Sequence, residues 1–303
     1  YAGYQVGAFP SGWAEWNDKY RDVVRRFWKG DQYQTAELAS RLAGSSDVFN
    51  YHNRDIWSSV NFITAHDGFN LHDLVSYNCK HNQSNGENNC DGTDSNWSWN
   101  SGAEGETDNR QIIDNRYCRM RAMLATLLLS FGTPMLVAGD EFAQPQYGNN
   151  NPYCQDNVLT WIAWEALSER NLELADFVAK LIRIRRSNPI FNRRHFFSGK
   201  EVSEGVKDIS WYNERGAEMS GDDWHDGNRR ALAYCVYADN KFYMCIFNAN
   251  FYSLDWQLPS IGGRGGWNLL VDSSAKFENE KKISSGSVIQ VPAWSVLLFE
   301  IKN

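Results

Sequence analysis

Apolar residues recur along this chain with two different periods, and the change between them falls near residue 191. Ahead of it, Tyr20, Val23, Val24 and Phe27 lie at the three-to-four spacing of a helix face and Gly30 closes the run, which predicts a helix from Asp18 to about Gly30. A second, shorter helix is predicted over residues 35–42, within the same crossover. The strongest helix is predicted over residues 110–130, with Met123, Leu124, Leu127, Leu128 and Leu129 forming a buried end. Another is predicted over residues 172–186, where Leu174, Phe177, Val178, Leu181 and Ile184 share one face and Pro189 lies just beyond. Short apolar strands at residues 13–17, 60–65 and 134–138 alternate with these helices across long Gly- and Asn-rich loops. That alternation is the pattern of βα units and predicts an α/β organisation.

Beyond residue 191 the period shortens to two. Residues 231–237, 242–248, 267–271, 288–291 and 295–301 alternate as strands, punctuated by Ala238-Asp239-Asn240 and by the glycine-rich run 262–266. An antiparallel β-sandwich is the expected form, which divides the chain into residues 1–190 and 191–303.

Composition narrows the partners. The 303 residues carry 37 acidic against 30 basic side chains, a net charge of -7, so nucleic acid is not expected and a neutral ligand fits better. Thirteen Trp and fourteen Tyr suit the faces of sugars, although burial in a core is the commoner reason for any single ring. Six cysteines show no paired CxxC spacing, so neither a zinc site nor a redox motif is signalled; free thiols and a cytoplasmic location are expected, without cofactor. No long apolar run predicts a membrane span.

Three segments carry candidate chemistry. In Phe62-Ile63-Thr64-Ala65-His66-Asp67-Gly68 an apolar strand ends in an imidazole and a carboxylate, and in a βα barrel such ends converge on the active site. A capping role for Asp67 is an equally good reading. Asp140 and Glu141 end a second strand and are expected to tie loops together. In residues 148–157, Asn149, Asn150 and Tyr153 offer groups suited to sugar hydroxyls, with an amide-rich turn network as the alternative. Residues 85–94 superficially suggest a calcium loop but lack the spaced acids and closing Glu of an EF-hand, so no metal is expected.

Taken together, several segments resemble the isoamylase and bacterial glycogen-debranching branch of the α-amylase superfamily (glycoside hydrolase family 13). They are Gly3-Tyr4-Gln5-Val6-Gly7, Glu15-Trp16-Asn17-Asp18-Lys19-Tyr20-Arg21-Asp22, Ala65-His66-Asp67-Gly68, residues 77–91, residues 132–141 and residues 148–157. Trp211, Gly216-Ala217-Glu218-Met219 and Asp223-Trp224 are similar to a junction segment of the same enzymes. The resemblance implies strands six to eight of a (β/α)8 barrel followed by the sandwich, and cleavage of α-1,6 branch linkages in glycogen or limit dextrin.

In that family an Asp after strand four is the nucleophile and a Glu after strand five the acid and base. The resemblance implies that both lie upstream of Tyr1. Only the third carboxylate carries over: Asp67 would stabilise the distorted sugar in the transition state, and His66 would bond the same ring. The chain alone is therefore expected to be inactive and to need the missing half of the barrel as its partner. A non-catalytic glucan-binding protein, or a related α-1,4-acting amylase or glucanotransferase, are the competing readings.

Overall fold

The computed structural model describes residues 3–51, 53–261, 265–277 and 282–302. Strand β1 (Glu15–Asn17) runs directly into helix α1 (Asp18–Lys29). Asn17 makes the junction: its side-chain carbonyl accepts the Tyr20 amide as a helix cap, while its NH2 donates to the hydroxyls of Ser45 and Ser59. Gly30 ends α1 at φ 93°, where a left-handed residue lets its amide reach the Arg26 and Phe27 carbonyls. Next come α2 (Thr35–Leu42), α3 (Ser46–Phe49), β2 (Ser59–Asn61), α4 (Leu71–Leu74), α5 (Arg110–Leu129), β3 (Thr133–Pro134) and α6 (Glu169–Ser187). The last begins three residues before its predicted start because Ser168 and Asn171 form a reciprocal capping box.

β1, β2 and β3 form a parallel sheet in that order, with Trp16 opposite Val60 and Asn61 opposite Pro134. These strands are shorter than the apolar runs 60–65 and 134–138 predict. Pro134 has no amide to extend the ladder, and residues 62–65 leave it to bring Thr64 against Asp140.

The second part contains β4 (Glu201–Ser203), β5 (Val206–Lys207), β6 (Ile209–Tyr212), α7 (Gly221–His225), β7 (Ala231–Ala238), β8 (Lys241–Asn248), β9 (Leu254–Gln257), β10 (Trp267–Asp272), β11 (Lys282–Ile283), β12 (Val288–Val291) and β13 (Ser295–Lys302). Six of these strands form one antiparallel sheet in the order β11-β10-β13-β8-β7-β6, while β9 pairs with β12 and β4 with β5. Alternation along the central strands divides their side chains. Ala233, Cys235, Met244, Ile246, Leu297 and Phe299 form one core with Trp256, Ile289 and Val291 of the β9–β12 pair. Tyr234, Val236, Cys245, Phe247 and Leu298 join the other core, which includes Val24, Leu124, Leu128 and Leu174 of the helices. The Tyr234 hydroxyl donates to the Leu129 carbonyl at 2.9 Å, and Arg185 donates to the carbonyls of Leu128, Ser130 and Gly132, so the end of α5 is satisfied from the sheet and from α6. Residues 262–264 of the predicted glycine-rich turn lie outside the described residues. Among the described residues no helix is long and apolar enough to cross a membrane.

Candidate functional site

Beyond β2 the chain runs through buried Phe62, Ile63, Thr64 and Ala65 before His66 and Asp67 emerge into solvent. The Thr64 hydroxyl donates to the carboxylate of Asp140, which is 2% exposed, and the other oxygen of Asp140 accepts the Leu71 amide at 2.9 Å. Gly68, at φ 82°, donates its amide to the Asn150 carbonyl at 2.8 Å and turns the chain away. The Trp16 indole lies 5.7 Å from the His66 imidazole and 5.6 Å from the Phe62 ring, centroid to centroid, and is 47% exposed. Imidazole and indole therefore share an open aromatic surface next to Asp67.

A buried guanidinium backs this segment. Arg25 of α1 donates to the Ile63 carbonyl at 2.7 Å and the Asn96 carbonyl at 3.2 Å. Burial, with Arg21 adding to it, lowers its pKa to about 9, while Asp22, Asp140 and Asp67 pull the other way, so it remains cationic at neutral pH. Burial raises the Asp140 pKa to about 6 against the bonds from Thr64 and Leu71. Glu141 accepts the Gly139 amide at 2.8 Å. Both acids are thus engaged within their own loop and its neighbours.

The adjoining loops are held together by amides. Fully buried Asp73 accepts the Gly148 amide at 2.8 Å and the Gln146 amide at 3.4 Å. Asn149 donates to Ser84 and Asn85 and accepts from the Asn151 amide. Asn150 donates to the Thr93 carbonyl and the Asn96 side chain and accepts from Asn82 at 2.9 Å, while its own backbone amide donates back to Asn82. Both asparagines are 1% exposed. As folded here, their side chains serve the turn network and not an open surface, because each polar group already has a protein partner. Tyr153, on the same loop, is 79% exposed. The structure therefore sets the backbone of Asn150 against Gly68, next to His66 and Asp67, leaves Tyr153 exposed at the surface, and turns the side chains of Asn149 and Asn150 into the loops.

In the calcium-like stretch, one oxygen of Asp91 accepts from Asn85 at 2.7 Å and Asn151 at 2.9 Å, and these two bonds hold its carboxyl below the usual range. No group of three or more His, Cys, Asp or Glu able to hold a metal ion occurs among the described residues. Arg25, Trp16, Asp73 and Asn82 escaped the sequence reading. Arg25 shares its side of the helix with Arg21, Asp22 and Lys29, so nothing in the pattern set it apart as a buried charge, and Asn82 carried no sign either.

Searched against protein families, the chain matches no family model. Two curated relatives align along 98% of its length at 42% identity: the glycogen operon protein GlgX homolog of Mycobacterium tuberculosis and the glycogen debranching enzyme of Salmonella gallinarum. Along nearly its whole length the chain is similar to these two proteins of glycogen metabolism. It spans 43% and 42%, respectively, of their length. Among solved structures, the pullulanase of Bacillus acidopullulyticus matches with TM-score 0.64 and 18% identity over 95% of the chain and 30% of its own. The catalytic module of the pneumococcal virulence factor SpuA gives 0.64 and 15% over 96% of the chain and 44% of that module. These structural likenesses show that the chain shares an α/β fold with part of those proteins.

Proposed function

We propose that this chain is part of a retaining glycosidase that opens α-1,6 branch linkages of glycogen or a limit dextrin. Asp67 holds hydroxyls of the glucose ring at the cleavage point and His66 bonds the same ring. That role rests on one observation: His66 and Asp67 form the exposed tip of a buried segment braced by Asp140, Arg25 and Asn150. A carboxylate carried on a backbone braced before the substrate arrives needs less reorganisation when positive charge develops on the ring. Trp16 and Tyr153 offer faces for neighbouring glucose units. The names of the relatives, and a similar pullulanase solved in complex with maltotetraose, support an α-glucan as substrate. β1, β2 and β3 are then strands six, seven and eight of the barrel, with Asp67 at the C-terminal mouth of the seventh. Asn149 and Asn150 act by shaping the loops around the sugar.

A retaining glycosidase works with two carboxyl groups about 5–5.5 Å apart, one as nucleophile and one as acid and base. Asp140 is buried and bonded twice, and Glu141 is tied to its own loop, so neither is free for those roles. Nucleophile and proton donor come from the remainder of the barrel, and this chain alone does not hydrolyse. Incubation of the purified chain with limit dextrin should release no linear maltooligosaccharide above a heat-killed control; release above it would refute the division of labour.

A further inference from the structure

A pocket of 330 Å3 opens where the end of α1 meets the β8–β9 and β12–β13 turns. Trp99 and Trp294 line it with ring centroids 6.0 Å apart and inclined at 47°. Phe251 stands at its rim, 76% exposed, and meets Tyr252 edge-on at 5.1 Å. Trp294 adopts φ 45°, a left-handed conformation that L side chains rarely take, and its amide donates to the Asn250 carbonyl at 3.2 Å, joining the two turns.

The charged groups around these rings already have protein partners. Lys29 lies 3.8 Å from Asp31, whose other oxygen accepts from Arg26 at 3.2 Å. Arg230 donates to the carbonyls of Gly30 at 2.7 Å and Asn228 at 3.0 Å. Cations committed in this way suit a neutral ligand better than an anion. Aromatic faces beside paired polar groups fit a sugar ring, whose C–H faces are apolar and whose hydroxyls both donate and accept.

From this geometry we infer that the pocket is a second α-glucan site, holding an outer chain of the polymer whose branch point lies at Asp67. The inference takes its class of ligand from the function proposed above. A short piece of chain connects the two places: Asn96 accepts from the Asn150 side chain at 3.0 Å, and three residues later Trp99 lines the pocket.

The test is calorimetric titration of the 303-residue chain with maltoheptaose, using the unsubstituted protein, Phe251→Ala, Trp294→Phe and Asp67→Asn. Phe251 is exposed, so its replacement leaves the cores intact. Phe251→Ala is expected to weaken binding about fivefold, and by the same factor when Asp67→Asn is already present, because the two sites are separate. Unchanged affinity in both aromatic variants overturns the pocket. Loss of binding in Asp67→Asn alone also overturns it, and leaves the role of Asp67 standing. Light scattering adds one more arm: a dimer that Phe251→Ala dissolves would give the pocket to a second copy of the chain and overturn the glucan site. Absence of maltoheptaose binding by the unsubstituted chain overturns it as well.

Discussion

The carbonyl of Asn150 accepts the amide of Gly68 at 2.8 Å, so the amide-rich loops are fastened to the residue that follows Asp67. The Asn150 side chain continues the connection to Asn82, Thr93 and Asn96, and the Asn96 carbonyl in turn accepts from Arg25. A disturbance anywhere along these bonds reaches the base of the candidate site.

Replacement of Asn150 by Ala keeps the backbone bond to Gly68 but removes the side-chain bonds with Asn82, Thr93 and Asn96. Asn82 and Thr93 keep their bonds to Asp91 and from Asn96, but the buried Asn96 side-chain oxygen is left unpaired; losing the three bonds and orphaning that group is expected to lower the unfolding free energy by about 2 kcal/mol. Urea denaturation measures this, and a loss under about 0.5 kcal/mol would show that the network contributes little to stability.

Two glycines separate backbone strain from crowding. Gly86 (φ 78°) has nothing within 4 Å of the place a Cβ would occupy, whereas at Gly92 (φ 70°) a Cβ would meet Asn150 Oδ1 at 2.2 Å and Asn82 Nδ2 at 2.8 Å. Gly86→Ala should cost about 1 kcal/mol, the left-handed penalty alone, and Gly92→Ala at least about 1 kcal/mol more, because it also wedges the amide pair apart. Equal losses in thermal melts of the two variants would contradict this.

Asp140 makes stability fall with rising pH over a defined window. Its folded pKa of about 6 lies above the ordinary carboxyl value of 3.8, so between those values the folded chain holds more protons than the unfolded one. The contribution from protonated Asp140 is fully present below about pH 4 and is lost as pH rises through about 6. Asp140→Asn should flatten that part of the pH–stability curve while retaining an acceptor for Thr64 or Leu71. An unaltered slope would assign the titration to another group.

Asp223 behaves in the opposite sense. Burial pushes its carboxyl up, but bonds from Ser220, Asn213 and Arg229 outweigh burial and hold its pKa at about 2. Its stabilising contribution is present above about pH 4 and disappears as pH falls toward 2. Asp223→Asn should be less stable than the parent at pH 7, with the difference shrinking on acidification; a gap that stays constant would exclude the linkage.

Much of the scaffold was readable because local signals agreed. The spacing of Tyr20, Val24 and Phe27 with Gly30 marked α1, and alternation in residues 231–237 and 242–248 marked β7 and β8. Asp67 stood out because a turn-forming glycine follows an apolar run. The parallel strands were overestimated, since an apolar run does not say how far a neighbour accompanies it, and residues 62–65 are buried without a ladder. The β6 and β9 strands, four residues each, were not read from the sequence, although β12 of the same length was. The direction taken by Asn149 and Asn150 was unreadable for a different reason: an amide serves a sugar or a loop equally well, and the packing of residues 82–96 against residues 148–151 decides between them.

The role of Asp67 is tested most directly by NMR titration of the chain with a branched limit dextrin, following the His66 imidazole and the Trp16 indole. Both resonances should shift saturably, and Asp67→Asn should weaken the fitted affinity about tenfold, as expected for loss of a charged hydrogen bond. His66 and Trp16 signals that stay fixed at saturating glucan, or equal affinities in the two proteins, would contradict a sugar held at Asp67.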